Sequence, residues 1–260
     1  LPSDSRLIAE RFDGRHVARL ASPTLESIYR SVFEDDYPEE AQATAYFSRT
    51  TLQRLVAALR VEPGGAVVDL GCGHGGPGLW AIQQSGARLI GIDLSAVGIA
   101  LAEQRAAAAG LSERARFQVG DIAATGLADG SCDAAMSLDV LLFAPDKEVA
   151  LREVARILRK DGAFVFTTWE QTGHSERLLS PQTADYRPLL EAAGFAVEVY
   201  EEPPNWRRQH RPLAEGVIAA EAALAEEMGA EAASGYLDMA RGNLADLPLR
   251  RYVLGVTRRG

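Results

Sequence analysis

Cysteine is scarce in this chain. Its 260 residues hold only Cys72 and Cys132, with no C-x-x-C pair and no Cys/His cluster. That excludes a disulfide scaffold and a structural zinc site, leads us to expect no metal, and suits a reducing compartment. No apolar run approaches the ~18 residues that a membrane span needs, and residues 1–6 carry no signal-peptide pattern. Basic charge is also short, at 27 Lys+Arg against 36 Asp+Glu for a formal net charge of −9. A nucleic-acid groove neutralises phosphates with Lys and Arg, so such a partner is not expected. The expectation is a cytoplasmic protein, a monomer or homodimer, without membrane or nucleic-acid partners. What the chain has is length and apolar content. With 47% hydrophobic residues, a chain of this size buries roughly 70–75% of its unfolded surface and needs no staple.

Between Ala66 and Glu170, short apolar runs alternate with helical patterns. The runs are Ala66–Leu70, Arg88–Ile92, Ala115–Val119, Asp133–Ser137 and Ala163–Thr168. Apolar residues at i, i+3, i+4 spacing mark helices over Pro77–Ser85, Ser95–Gly110 and Lys147–Leu158. Near-continuous apolar strands separated by helices predict a parallel sheet covered on both faces. Ahead of the sheet, Pro23–Phe33 and Glu39–Leu59 read as helices. Behind it come a helix over Pro181–Ala193, a strand over Phe195–Tyr200, a helical segment over Pro203–Pro248 and a closing strand over Arg251–Thr257. The expected organisation is an N-terminal helical cap over residues 1–60 and a Rossmann-like α/β domain over residues 61–260. A helical insert at residues 203–248 precedes the last strand.

The segment Asp69-Leu70-Gly71-Cys72-Gly73-His74-Gly75-Gly76 follows the first strand. Gly71, Gly73 and Gly76 satisfy the G-x-G-x-x-G spacing that lets a backbone turn sharply against a ligand at a helix N-terminus. Asp69 discriminates between ligands. Its carboxylate, at the strand end, repels a pyrophosphate and attracts an ammonium or sulfonium. Asp93 ends the second strand, where a carboxylate accepts ribose hydroxyls. Asp121, ending the third in Gly120-Asp121-Ile122, stands where an adenine amino group donates. Three carboxylates at successive strand ends suit a cationic nucleoside better than a dinucleotide.

On these residues, together with Asp133-Ala134-Ala135-Met136-Ser137-Leu138 and Leu158-Arg159-Lys160-Asp161-Gly162-Ala163, the chain resembles the class I S-adenosylmethionine-dependent methyltransferases of small molecules and natural products. The resemblance implies a seven-stranded, mostly parallel sheet with an antiparallel final hairpin. It implies S-adenosyl-L-methionine as cofactor and S-adenosyl-L-homocysteine as product. Gly71, Cys72 (through its backbone) and Gly73 would line the methionine part, with Asp69 near its ammonium. Asp93 would hold the ribose and Leu94 would pack beside the adenine. Asp121 and Ile122 would bind the adenine edge, and Leu138 would lie beneath the cofactor. Tyr37, Tyr46 and Ser48 are candidates for covering the methionine carboxylate.

The acceptor is expected to be a small organic molecule, with a role in secondary metabolism such as antibiotic biosynthesis. Similar enzymes often carry a histidine pair after the fourth strand; Leu142 and Phe143 stand here instead. Asp139, His174 and His210 are the candidate catalytic residues, with Asp139 equally readable as a cap. Phe143, Trp169 and Trp206 are candidate substrate walls, and Trp169 reads also as core. Two alternatives stay open: a member of the fold that binds the cofactor without methylating, such as a cyclase, and an NAD-dependent oxidoreductase. Asp69 and the lack of a Tyr-x-x-x-Lys base oppose the second.

Overall fold

The computed structural model describes residues 3–42, 46–173 and 181–260. Seven strands form its sheet: β1 (Ala66–Leu70), β2 (Arg88–Asp93), β3 (Ala115–Val119), β4 (Cys132–Leu138), β5 (Leu158–Gln171), β6 (Phe195–Glu201) and β7 (Arg250–Arg259). Their spatial order is β3-β2-β1-β4-β5-β7-β6. The first five pair in parallel, with Val68 opposite Ile90 on one side and Ala135 on the other. Strand β7 inserts antiparallel between β5 and β6. The order reverses between β1 and β4, which places a crevice at the carboxyl ends of those two strands.

Helices α1 (Ser3–Leu20), α2 (Pro23–Phe33) and α3 (Arg49–Leu59) precede the sheet; α4 (Gly76–Ser85), α5 (Ala96–Ala108) and α6 (Lys147–Ile157) connect its parallel strands. Helix α7 (Arg187–Ala192) leads into β6, and α8 (Trp206–Ala219), α9 (Glu221–Met228) and α10 (Ala230–Asp246) fill the segment before β7. Side-chain caps set several starts. The Ser95 hydroxyl accepts from the Gly98 N–H at 2.8 Å, and Asp146 accepts from Val149 N–H at 3.0 Å. Each satisfies a backbone donor that the helix leaves unpaired.

One face of the sheet buries Val67, Met136 and Val165 against Leu55 and Ile82. The other buries Val68, Phe164 and Phe166 against Leu151, Val154 and Leu190. A third core is wholly helical. Ala18 and Leu25 from the N-terminal helices pack with Val217, Leu224 and Tyr236 from the insert. The two helical segments thus share one interior above the strand ends.

Three expectations need correction. The helix expected over 39–59 begins only at Arg49, because Ser48 adopts extended backbone and its hydroxyl caps Thr51 N–H; residues 39–42 form turns. The helix expected over 181–193 is confined to Arg187–Ala192. Its start is held back by Tyr186, whose N–H donates to the buried Glu170 carboxylate at 2.9 Å. Helix α1 lies within the segment expected as a helical cap, but no separate helix is read from the sequence over Ser3–Leu20. Its charges Arg6, Glu10 and Arg11 interrupt the apolar pattern, and the face it buries carries Ser5 and His16.

Strand β7 crosses β5 closely. A Cβ built on Gly255 would stand 2.2 Å from Cζ of the fully buried Phe166. Gly255→Ala is therefore expected to lower stability by about 1–3 kcal/mol through overpacking, read as a lower urea midpoint with an unchanged m-value. Among the described residues no helix is long and apolar enough to cross a membrane, and no group of three or more His, Cys, Asp or Glu is placed to hold a metal ion.

Candidate active site

A cavity of about 300 Å³ opens at the crevice between the strand ends and the helical layer. Its floor is the loop after β1. Gly71 takes φ +77°, and a Cβ there would lie 2.3 Å from Val140 Cγ2, so the turn tolerates no side chain. This conformation turns the Gly71 N–H onto the Ile92 carbonyl at 2.7 Å and brings the loop under β2.

Asp69 is 2% exposed and faces the cavity, and its Oδ2 has no hydrogen-bond partner. Gly78 leaves room for that oxygen, since a Cβ there would sit 2.6 Å from it. Burial pushes the Asp69 carboxyl up to about 7; the neighbouring Asp93 charge adds to this and the Gly78 N–H opposes it. A buried carboxylate oxygen without a donor is costly. The site therefore fits a ligand that brings a cationic donor to this carboxylate.

Asp93 Oδ2 accepts from Gly73 N–H at 2.7 Å and Oδ1 from Ser95 N–H at 2.8 Å, so this carboxylate locks the glycine loop to the start of α5. Burial raises its affinity for a proton against those two N–H groups. Each oxygen keeps a lone pair for a further donor. Asp121 Oδ2 accepts from the Ser5 hydroxyl at 2.9 Å, and Oδ1 from Ala123 N–H at 2.9 Å. Leu94, Ile122 and Leu138 complete the apolar lining here. Cys72 is buried, and burial pushes its thiol well above the usual range, leaving it unreactive. His74 is held neutral, its pKa lowered to about 3 by burial and then by Arg105.

The far half of the cavity is built by Asp139, Trp169, Phe143 and Tyr46. Asp139 sits at φ +60° just beyond β4. Its Oδ1 accepts from the Thr167 hydroxyl at 2.9 Å and its Oδ2 from Tyr46 N–H at 2.9 Å. Burial raises its pKa, opposed by the Tyr46 N–H, the nearby Tyr252 and Thr167 hydroxyls and Arg250. Committed in this way, the carboxylate anchors the chain at Tyr46. The Arg250 guanidinium lies 3.9 Å from the centre of the Trp169 ring, and its Nη2 donates to the Asn243 carbonyl at 3.0 Å.

Of the residues singled out from sequence, Tyr46, Asp69, Gly71, Cys72, Gly73, Asp93, Leu94, Asp121, Ile122, Leu138, Asp139, Phe143 and Trp169 line one cavity, with Tyr46 beside Trp169. Four lie outside its lining. Tyr37 is buried with Tyr29, Phe33 and Leu213, and its hydroxyl donates to Glu26 at 2.8 Å. Ser48 is spent on capping α3. Trp206 packs edge-on against Trp169 from behind, and its indole N–H donates to Glu202 at 2.6 Å. His210 is buried behind Tyr46 and Trp169. His174 lies outside the described residues.

Sequence reasoning missed the roof. Helix α1 sets Ile8, Phe12 and His16 over the cavity, with Phe12 edge-on to Phe143 at 5.1 Å between ring centres. These three recur at i, i+4 with Ser5 on the same face, which is the signal that could have found them. From the insert come Met239, Asn243 and Asp246, and from β7 Arg250.

Residues 68–166 match a methyltransferase domain family. The chain is 27% identical over 249 residues to the methyltransferase GfsG of Streptomyces halstedii, covering 87% of this chain and 88% of that one. It is 32% identical over 185 residues to dimethylglycine N-methyltransferase of Parasynechococcus marenigrum, covering 66% of each. Among solved structures it resembles the cyclase SpnF, with a TM-score of 0.71, 24% identity and coverage of 81% of this chain and 80% of that one. At that identity the likeness shows the shared fold.

Proposed function

The chain belongs to the class I S-adenosylmethionine-dependent methyltransferase family, and from that premise we propose how its cavity moves a methyl group to a small organic acceptor. The observation that carries the proposal is the unpartnered, buried Oδ2 of Asp69. When bound, S-adenosylmethionine supplies a methyl group on a sulfonium and leaves as S-adenosylhomocysteine. Asp69 receives the α-ammonium. Asp93 uses its remaining lone pairs for the ribose hydroxyls, while Leu94 and Ile122 enclose the adenine beside Asp121. Gly71, Cys72 and Gly73 follow the methionine part, and Leu138 lies beneath.

The acceptor enters against Phe143, Trp169 and Tyr46. Asp139 serves to orient the acceptor side, since each of its oxygens accepts one donor, from Tyr46 N–H and the Thr167 hydroxyl, and keeps one lone pair. Acceleration then rests on aligning nucleophile, methyl carbon and sulfur and on excluding water; such positioning supplies up to ~7–11 kcal/mol of a barrier. The aromatic walls suit the apolar part of an acceptor, beside the polar Asn243 and Arg250, and the resemblance to natural-product enzymes supports a place in secondary metabolism, including antibiotic biosynthesis. The fold shared with SpnF brings no cyclisation to this chain, and a buried carboxylate at the first strand end, with one oxygen lacking a partner, opposes the pyrophosphate of NAD.

Calorimetry with S-adenosylmethionine, S-adenosylhomocysteine and NAD, followed by mass-shift screening of aromatic, polyketide-like, sugar and amine acceptors, tests this reading. Binding of the first two and methylated products are expected; binding of NAD alone would overturn it. Asp93→Ala is expected to weaken S-adenosylmethionine binding by about 1–3 kcal/mol, as loss of a charged acceptor should. Unchanged affinity in the same titration would remove Asp93 from the ribose.

A further inference from the structure

His210 does not itself line the cavity, so its burial needs another account. It is 3% exposed on α8, among the rings of Tyr46, Trp169, Tyr252 and Trp206 at centre distances of 4.6, 4.9, 5.0 and 5.4 Å. Its Nε2 lies 3.0 Å from the Tyr46 carbonyl oxygen, while Nδ1 is buried without a partner. A carbonyl only accepts, so Nε2 carries the proton and Nδ1 is the bare nitrogen. Burial keeps the ring neutral, with its pKa lowered to about 3.

That single bond completes a three-point attachment of one residue. The Tyr46 N–H donates to Asp139 beyond β4, its carbonyl accepts from His210 on α8, and its hydroxyl bonds Asn243 Nδ2 on α10. The phenol ring is left edge-on to Trp169, 5.6 Å between centres and 84° between planes. Both rings line the acceptor half of the cavity. No local pattern near residue 46 could hold a ring so firmly; the partners lie 93, 164 and 197 positions away.

We propose that His210 is a positioning residue, which by donating to the Tyr46 carbonyl fixes the Tyr46 ring against Trp169 as a rigid wall for the acceptor. The functional half of this inference rests on the methyl-transfer reading; the attachment itself does not. His210→Phe fills the aromatic box and lacks the donor, whereas His210→Gln keeps an N–H donor at similar reach. His210→Leu serves as a second donor-free variant.

Hydrogen exchange read by mass spectrometry on a peptide that spans Tyr46 and begins at least two residues before it needs no acceptor. Exchange there is expected to quicken about tenfold or more in His210→Phe, as a local opening should, and to stay near wild type in His210→Gln. Peptides of β1 and β4 report whether each variant is folded. With the acceptor that gives the largest mass shift, kcat should fall about 10- to 100-fold in His210→Phe, the scale of a small misplacement. The S-adenosylmethionine Kd should hold, and His210→Gln should restore most of kcat. Unchanged exchange in folded His210→Phe or His210→Leu overturns the proposal, as does equal damage in His210→Gln. Should wild type methylate nothing, the exchange result still decides the attachment, and the missing turnover counts against the methyl-transfer reading alone.

Discussion

Asp69→Asn is expected to weaken S-adenosylmethionine binding by about 1.5–3 kcal/mol, roughly 10- to 150-fold in Kd. The amide keeps the shape of the side chain and removes the charge that pairs with the ammonium. The same substitution should stabilise the ligand-free protein at high pH. Burial raises the Asp69 carboxyl from 3.8 to about 7. The folded state therefore keeps a proton that the unfolded chain has already released. Its contribution is complete below about pH 4 and is lost as pH rises through 7, amounting to about 4 kcal/mol at most. Thermal melts at about pH 8 without ligand should place Asp69→Asn above wild type, and the order should narrow near pH 5. A variant that binds S-adenosylmethionine as wild type does would separate Asp69 from the ammonium.

Wild-type affinity should follow the same titration. Below pH 7 the carboxylate must lose its proton to receive the ammonium, so Kd weakens about tenfold per pH unit. Above about pH 8 an α-amino group loses its own charge, and affinity declines again.

Asp139→Ala is expected to cost about 2–4 kcal/mol of stability. It strips two part-buried donors, Tyr46 N–H and Thr167 Oγ1–H, of their acceptor, and each unsatisfied donor costs about 1–3 kcal/mol. Against a typical domain stability of ~5–15 kcal/mol this is a large fraction. Asp139→Asn should lose less stability. Its Oδ1 can still accept from Tyr46 N–H while its Nδ2 donates to the Thr167 oxygen, but turnover should nevertheless fall, because the charge beside the acceptor half is lost and the Thr167 hydroxyl must turn from donor to acceptor. Cofactor affinity should change little in Asp139→Asn, since the residue lies in the acceptor half. Urea denaturation and labelled-methyl turnover read the two effects separately. A variant with wild-type stability and rate would mean that Asp139 neither anchors nor orients.

Much of the cofactor half was legible because its determinants are local. Asp69 and the glycine turn lie within a few residues of each other, on a strand that its own apolar run announces. Asp93 and Asp121 sit at the next two strand ends by the same periodicity. The acceptor half was not legible in this way. Tyr37 and Ser48 looked suited to cover the methionine carboxylate. Their chemistry is consumed by Glu26 and by the cap of α3, partners that only the folded chain supplies. His16 was missed because it rides on a helix whose buried face is polar. Its pKa is lowered by burial, against the pull of Asp93 and Asp13. Residue types named the candidates on the acceptor side, but long-range packing decided which of them face the cavity.

Proton release on cofactor binding probes the empty partner position on Asp69 most directly. Calorimetry of S-adenosylhomocysteine in buffers of differing ionisation enthalpy should show close to one proton leaving near pH 6, falling toward zero at about pH 8 in wild type, with the release abolished in Asp69→Asn. Tight binding without release near pH 6, or the same release from Asp69→Asn, would contradict the account.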